Sequence, residues 1–245
     1  MGTEIEKLTQ ILKESNNIVF FGGAGVSTES NIPDFRSSNG LWNEKLQINF
    51  TPEQLVSHTF FMKYPEEFFK FYKDKLIYPD AKPNAAHIAL AKLEEIGKLK
   101  AIVTQNIDGL HQAAGSKNVF ELHGSVLRNY CMKCHAFYDE KFILASEGIP
   151  ICPKCGGKVK PDVVLYEEGL DEVTIQGAVK AISEADTLII GGTSLVVYPA
   201  AGLINYFRGK NLVLINKSTT SADNKADLVI HDAIGQVLGN AVSHL

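Results

Sequence analysis

Six short, dominantly apolar runs punctuate the chain, at 18–21, 101–104, 119–122, 187–190, 212–215 and 228–230. Their apolar residues are continuous and do not alternate with polar ones, which predicts strands covered on both faces, as in a parallel sheet. Patterns of helical period lie between them. Ile5, Leu8, Ile11 and Leu12 share one face of an N-terminal helix. Ile88, Leu90, Ala91 and Leu93 give the apolar face of another, which begins after Pro83-Asn84. Strands alternating with helices predict a doubly wound α/β domain. The uncharged stretch 187–207 is long enough to span a bilayer, but Gly191, Gly192, Pro199 and Gly202 divide it into strand, turn and packed helix. It reads as core.

Two stretches break the alternation. Residues 130–160 hold all four cysteines together with Pro150, Pro153, Gly156 and Gly157, and they read as a small module inserted into the α/β domain. Residues 31–80 are rich in Phe and Tyr and poor in strand signals; the part from about 39 to 80 is expected to be a helical cap over the ligand site.

Composition narrows the class. With 245 residues, 45% hydrophobic and 21% charged, the chain has enough apolar material for a full core and is neither disordered nor a coiled coil. A net charge of -4 gives no global field that attracts nucleic acid or an anionic membrane. The charged, amphipathic N-terminus is not a signal peptide, and Glu6 stands where a myristoylation motif after Met1-Gly2 needs Ser or Thr. A soluble, cytoplasmic protein is expected, with monomer as the default.

Cys131, Cys134, Cys152 and Cys155 form two C-x2-C pairs. Each pair presents two sulfurs to one ion, and four thiolates close a tetrahedral zinc site that leaves no position for water. Disulfides are disfavoured in a chain without a secretion signal, and a redox pair needs no duplicate. Lys133, Lys154, Lys158 and Lys160 on this module read as ordinary solvation. The loop Gly22-Gly23-Ala24-Gly25 follows the first strand and suits a tight strand-to-helix turn where backbone N–H groups approach a pyrophosphate. Thr28 occupies the third glycine position of the dinucleotide fingerprint and no acidic residue follows at the usual distance, so a plain tight turn stays open. Asn106, Asp108 and His123 fall at strand ends, on the rim where an open α/β sheet binds ligands. An imidazole there suits a general base, whereas His58, His87, His135 and His244 read as packed or surface residues.

Taken together, Gly23-Ala24-Gly25-Val26-Ser27, Ile32-Pro33-Asp34-Phe35-Arg36, Thr104-Gln105-Asn106-Ile107-Asp108, Glu121-Leu122-His123-Gly124, the four cysteines and Gly192-Thr193-Ser194-Leu195 resemble the sirtuin family. The resemblance runs from about residue 18 to 238, and within the family the chain is similar to the short bacterial deacylases. It implies a Rossmann-like NAD-binding domain over 1–129 plus 161–245, a zinc-binding module over 130–160, and removal of acyl groups from lysine with NAD as co-substrate. The products would be nicotinamide, deacylated lysine and O-acyl-ADP-ribose. On this resemblance Gly23, Ala24, Gly25 and Thr28 hold the pyrophosphate, Arg36 faces phosphate and ribose, and Phe35 walls the nicotinamide side. Asn106, Ile107 and Asp108 form the nicotinamide pocket, Gln105 approaches the ribose, and His123 takes a proton from a ribose hydroxyl. Thr193, Ser194, Asn216 and Asp232 face the adenosine, while Val163 and Tyr166 grip the lysine stem of an acyl-lysine peptide or protein.

Two departures qualify the resemblance. Glu167-Glu168 stands where most members have Gly-Glu, which adds a charge beside the peptide cleft and suggests a taste for basic flanking residues. Members that remove acidic acyl groups carry a Tyr-x-x-Arg pair, but here Tyr72 is followed by Lys75, so neutral acyl groups are expected, acetyl first. The rival readings are a mono-ADP-ribosyltransferase using the same site and a non-catalytic zinc-ribbon module that binds nucleic acid. The intact His123, Asn106 and Asp108 set and the negative net charge disfavour the latter.

Overall fold

The computed structural model describes residues 2–37, 40–41 and 50–245. Among them the strands are β1 (Ile18–Gly22), β2 (Leu99–Thr104), β3 (Val119–Glu121), β4 (Gly124–Cys131), β5 (Phe137–Tyr138), β6 (Val159–Val163), β7 (Thr187–Gly191), β8 (Asn211–Ile215) and β9 (Leu228–Ile230). The helices are α1 (Gly2–Glu14), α2 (Pro52–Leu55), α3 (His58–Lys63), α4 (Pro65–Lys75), α5 (Ala85–Glu95), α6 (Leu110–Ala113), α7 (Glu140–Ala145), α8 (Glu172–Glu184) and α9 (Ile234–Ser243). Each apolar run forms one strand of a six-stranded, wholly parallel sheet ordered β3-β2-β1-β7-β8-β9, with Leu122 falling just past the end of β3.

Both faces of this sheet are covered, and the strand period of two assigns residues to them. Ile18 and Phe20 pack with Ile102, Ile189 and Val213 under α1, α5 and α9. Val19 and Phe21 pack with Val103, Leu188 and Ile190 under α8 and the 3-10 helix Ala200–Tyr206. α5 begins where expected, with Asn84 Oδ1 accepting from the Ala86 N–H. Its buried face differs from the expected one. Ile88 is 58% exposed, and the core side carries Ala86, His87, Ala89, Leu90 and Leu93. Position 88 lies two residues past Ala86, about 200° around the helix, and so points outward. α9 lacks a side-chain cap of its own; Glu29, just past the glycine loop, accepts from the Gly235 N–H at 2.8 Å and ties that loop to the helix.

The stretches that broke the alternation form one body. β4, β5 and β6 make a three-stranded antiparallel sheet that starts at Gly124, earlier than the cysteines themselves. Helices α2, α3 and α4 pack Leu55, Phe61, Phe68, Phe69 and Tyr72 against its Val126, Cys131, Cys152 and Val159 in a single core. Of the expected cap segment 39–80, residues 39 and 42–49 lie outside the described residues. Gly124, at φ 74°, opens this sheet at the point where a Cβ would run into the Asp162 carbonyl oxygen. Only glycine fits there, and it directly follows His123.

Candidate active site

In the order β3-β2-β1-β7-β8-β9 the direction of winding reverses between β1 and β7, and an open α/β sheet binds ligands outside the carboxyl ends at that switch point. A cavity of about 820 Å³ opens there, beneath the cap and the antiparallel sheet. All residues expected to hold the cofactor or the substrate line it, from Gly23 on one side to Asp232 and Tyr166 on the others.

The glycine loop differs from expectation in one respect. After β1 the chain enters two single-turn 3-10 helices, Ala24–Val26 and Thr28–Ser30, and no α-helix. The loop crosses the turn after β7 so closely that a Cβ on Gly25 would lie 2.8 Å from the Gly192 Cα. The Gly25 N–H is already donated to the Gly192 carbonyl at 2.8 Å. Gly25 therefore serves the crossing of two loops, and no long helix dipole stands behind the site.

Ser27 joins the groups at the ends of β1 and β2. Its Oγ donates to Asp108 Oδ2 at 2.7 Å and accepts from Asn106 Nδ2 at 3.0 Å. The other Asp108 oxygen accepts from the Leu110 N–H. Ser27 belongs to the motif Gly23-Ala24-Gly25-Val26-Ser27, but nothing in the sequence alone assigns it a role. Gln105 Nε2 donates to Thr193 Oγ1 at 3.0 Å, which links the end of β2 to the loop after β7.

His123 sits just beyond β3, with Nδ1 3.0 Å from the Gln105 carbonyl oxygen. A carbonyl only accepts, so Nδ1 carries the hydrogen and Nε2 keeps its lone pair. Burial pulls the imidazole pKa below 6.5, with the Gln105 contact opposing. His123 is thus a neutral base of fixed tautomer in the wall of the cavity. At the far end Asp232 Oδ1 accepts from the Ala233 N–H, while its buried Oδ2 has no partner among the described residues. Asn216 lines the same end, its amide donating to the Ser218 carbonyl.

On the substrate side Arg36 Nη2 donates to the Tyr166 hydroxyl at 3.4 Å. The Tyr166 N–H and C=O are engaged with Val56 and His58, so the cap pins this stretch. Tyr72 is fully buried in the cap core and not in the cavity wall, whereas Lys75 lines the cavity.

The four cysteine sulfurs lie within 4.8 Å of one another, with Cys131–Cys155 at 3.4 Å and Cys134–Cys152 at 3.6 Å. Four thiolates about 2.3 Å from one ion stand about 3.8 Å apart, so the cluster has the size of a tetrahedral metal site. The Tyr138 hydroxyl lies 3.0 Å from Cys152 Sγ.

A family model described as the Sir2 family matches residues 23–199, more than half of the chain and both cysteine pairs. The chain belongs to the Sir2 family. It is 79% identical over 99% of its length, and 100% of the relative's, to a NAD-dependent protein deacetylase of Clostridium perfringens (strain 13 / Type A). Among solved structures it superposes with a TM-score of 0.90 on a Sir2 histidine-to-alanine variant with a deacetylated p53 peptide and 3′-O-acetyl ADP-ribose, at 38% identity and 98% coverage of both chains. A Sir2 complex with a p53 peptide and NAD+ superposes with a TM-score of 0.86, again at 38% identity and 98% coverage of both. Among the described residues no helix of this sirtuin is long and apolar enough to cross a membrane.

Proposed function

We propose that this sirtuin is a NAD-dependent protein-lysine deacetylase in which His123 is the general base. The observation that carries this reading is the imidazole itself, neutral, tautomer-fixed and set in the same cavity wall as the glycine loop and the Ser27-Asp108-Asn106 network.

The cavity fits NAD as co-substrate. An orphaned carboxylate oxygen on Asp232 offers an acceptor to the adenosine end, with Asn216, Thr193 and Ser194 beside it. Gly23, Ala24, Gly25 and Thr28 flank the pyrophosphate, and the exposed Arg36 guanidinium complements its anionic oxygens. Asn106, Ile107 and Asp108 hold the nicotinamide, with Asp108 kept in place by two donors so that its charge is oriented before ligand arrives. Phe35 walls that side against nicotinamide return, and Gln105 approaches the ribose.

NAD would supply the electrophilic ribose carbon, which accepts the acetyl oxygen of the substrate lysine as its bond to nicotinamide breaks. The chain's own work is positioning and one proton transfer. Val163 and Tyr166 grip the lysine stem. His123 Nε2 takes the proton of a ribose hydroxyl, and the positive charge this creates is stabilised through the Nδ1–H bond to the Gln105 carbonyl. Cys131, Cys134, Cys152 and Cys155 would hold one Zn²⁺ with no open position, in a purely structural role that links the knuckles beneath β4 and β6.

The test is incubation with NAD and an acetyl-lysine peptide, following peptide mass and adenosine-containing products, beside His123→Ala. Loss of acetyl with matching O-acetyl-ADP-ribose, abolished in the variant, is the expected result. Nicotinamide release with the peptide still acetylated would instead indicate ADP-ribosyl transfer.

A further inference from the structure

The substrate side of the cavity holds one residue in a conformation its type rarely adopts. Glu167 lines the cavity with φ 76°, in the left-handed region where a side chain crowds the backbone. Strain of this kind persists only where surrounding structure over-determines it, and it concentrates at ligand clamps. Here Glu167 Oε2 accepts from both the N–H (2.9 Å) and the Oγ1 (2.7 Å) of Thr59, in the first turn of α3. These bonds, helped by the charges of His58 and Lys63, hold the carboxyl below its usual range against a small opposing effect of burial, so it is ionised.

Its neighbour behaves differently. Glu168 is enclosed by His58 Nδ1 at 2.8 Å, Lys160 Nζ at 3.1 Å and the Leu165 N–H at 2.9 Å, so its charge is matched within the protein. Glu167 has no cation within ion-pair distance among the described residues, and its Oε1 has no protein donor there. Arg36 and Lys75 also line the cavity, Arg36 turned to the Tyr166 hydroxyl, while His58 is paired with Glu168 and Lys63 acts on Glu167 only from beyond ion-pair distance. Glu167 is therefore an ionised carboxylate in the cavity wall with one oxygen left for the cation of a ligand. Since Thr59 already fixes the side chain, little rotamer freedom is lost when a cation meets it.

We propose that Glu167 is a specificity-determining residue that selects acetyl-lysine peptides carrying Arg or Lys beside the modified lysine. This rests on the deacetylase reading. Glu167→Gln keeps an oxygen acceptor for Thr59 and removes only the charge, which separates selection from capping. Acetyl-lysine peptides flanked by Arg, by Ser or by Glu are compared in two arms: affinity by fluorescence anisotropy, and kcat/KM from O-acetyl-ADP-ribose.

The expected result is a preference of about threefold to fivefold for Arg over Ser flanks, the scale of one exposed ion pair. It should be reversed to disfavour for Glu flanks, lost in Glu167→Gln, and lost in the wild type in ~1 M salt, where the screening length is about 3 Å. Equal Arg-to-Glu ratios in wild type and Glu167→Gln overturn the proposal. Binding without any O-acetyl-ADP-ribose would sink the deacetylase reading, while the anisotropy ratios would still decide the role of Glu167.

Discussion

One hydroxyl holds two strand-end loops to each other at the centre of the site. Ser27 Oγ donates to Asp108 and accepts from Asn106, and it is 1% exposed, so water does not replace it when it is removed. A hydrogen bond to a charged group contributes about 1.5–3 kcal/mol, which corresponds to roughly 10- to 100-fold in rate. Ser27→Ala should therefore lower kcat/KM for NAD by at least about tenfold and, by leaving Asp108 and Asn106 short of a partner in a buried site, lower the melting temperature by several degrees; a loss of kcat/KM under twofold would mean that the Leu110 N–H alone positions Asp108. His123 gives a second expectation. In the proposed mechanism its neutral form is the base, and burial lowers its pKa below 6.5, so protonation should remove activity only as pH falls beneath that value. The pH profile of kcat/KM should have its acid limb below pH 6.5, and a limb centred above 7 would assign the base elsewhere. These two residues also mark what the sequence revealed at this scale. That His123, Asn106 and Asp108 line the cavity was legible because each follows closely on the end of a strand of an open sheet. Ser27 was not, since its role depends on a contact made across 81 residues of chain.

Helices α5 and α6 bring two histidines together under β1, where the sequence offered only a packed residue. His87 and His111 have ring centroids 4.8 Å apart, and His111 also meets Phe20 at 6.1 Å. His87 Nδ1 accepts from the Asn84 N–H at the start of α5, so its hydrogen is on Nε2, which is buried and, like both ring nitrogens of His111, has no partner among the described residues. Burial pulls His87 down to about 4, with Asp108 opposing, and pulls His111 down to about 3, with His87 adding to the effect. In the unfolded chain both return to about 6.5, so the unfolded state binds more protons between pH 6.5 and about 3–4. Stability from this pair is fully present above pH 6.5 and declines as pH falls through that window, by about 1 kcal/mol per histidine from pH 6.5 to 5.5. Denaturant titrations at pH 7.5 and 5.5 should show the loss, and His111→Leu should reduce it; an unchanged pH dependence in that variant would remove the pair as its source. Pattern reasoning located α5 from Asn84 but misjudged its face, because alanine and histidine carry little hydropathy signal while Ile88, outward on the helix, carries much.

The chain is organised around two separate interiors, and only one of them was legible beforehand. Six apolar runs announce the parallel sheet because strands covered on both faces must be apolar throughout. The aromatic cap and the cysteine module, some 50 residues apart in sequence, gave no sign of sharing a core. The shared interior needs Phe61, Phe68 and Phe69 from α3 and α4 to meet Cys131, Cys152 and Val159 from the antiparallel sheet, a pairing of segments that no local pattern encodes. It follows that a metal held by the four cysteines would be coupled to the cap. Cys131 and Cys152 would be ligands and are core residues, so withdrawing the ion would free four thiols and loosen the wall on which the cap packs. The large sheet has no part in this: its two cores, under α5 and α9 on one face and α8 on the other, contain no cysteine. The glycine loop, Thr193, Asn216 and Asp232 all stand on that sheet, whereas Val163 and Tyr166 stand at the smaller body. Removing metal with a strong chelator should therefore abolish deacetylation and peptide binding while ADP-ribose binding, measured by calorimetry, falls by less than about tenfold. Limited proteolysis of the metal-free protein should cut within residues 52–80 and 124–165 and spare the sheet. Cleavage throughout the chain, or loss of ADP-ribose binding together with peptide binding, would show that the two interiors fold as one cooperative unit and that the ion stabilises the whole molecule.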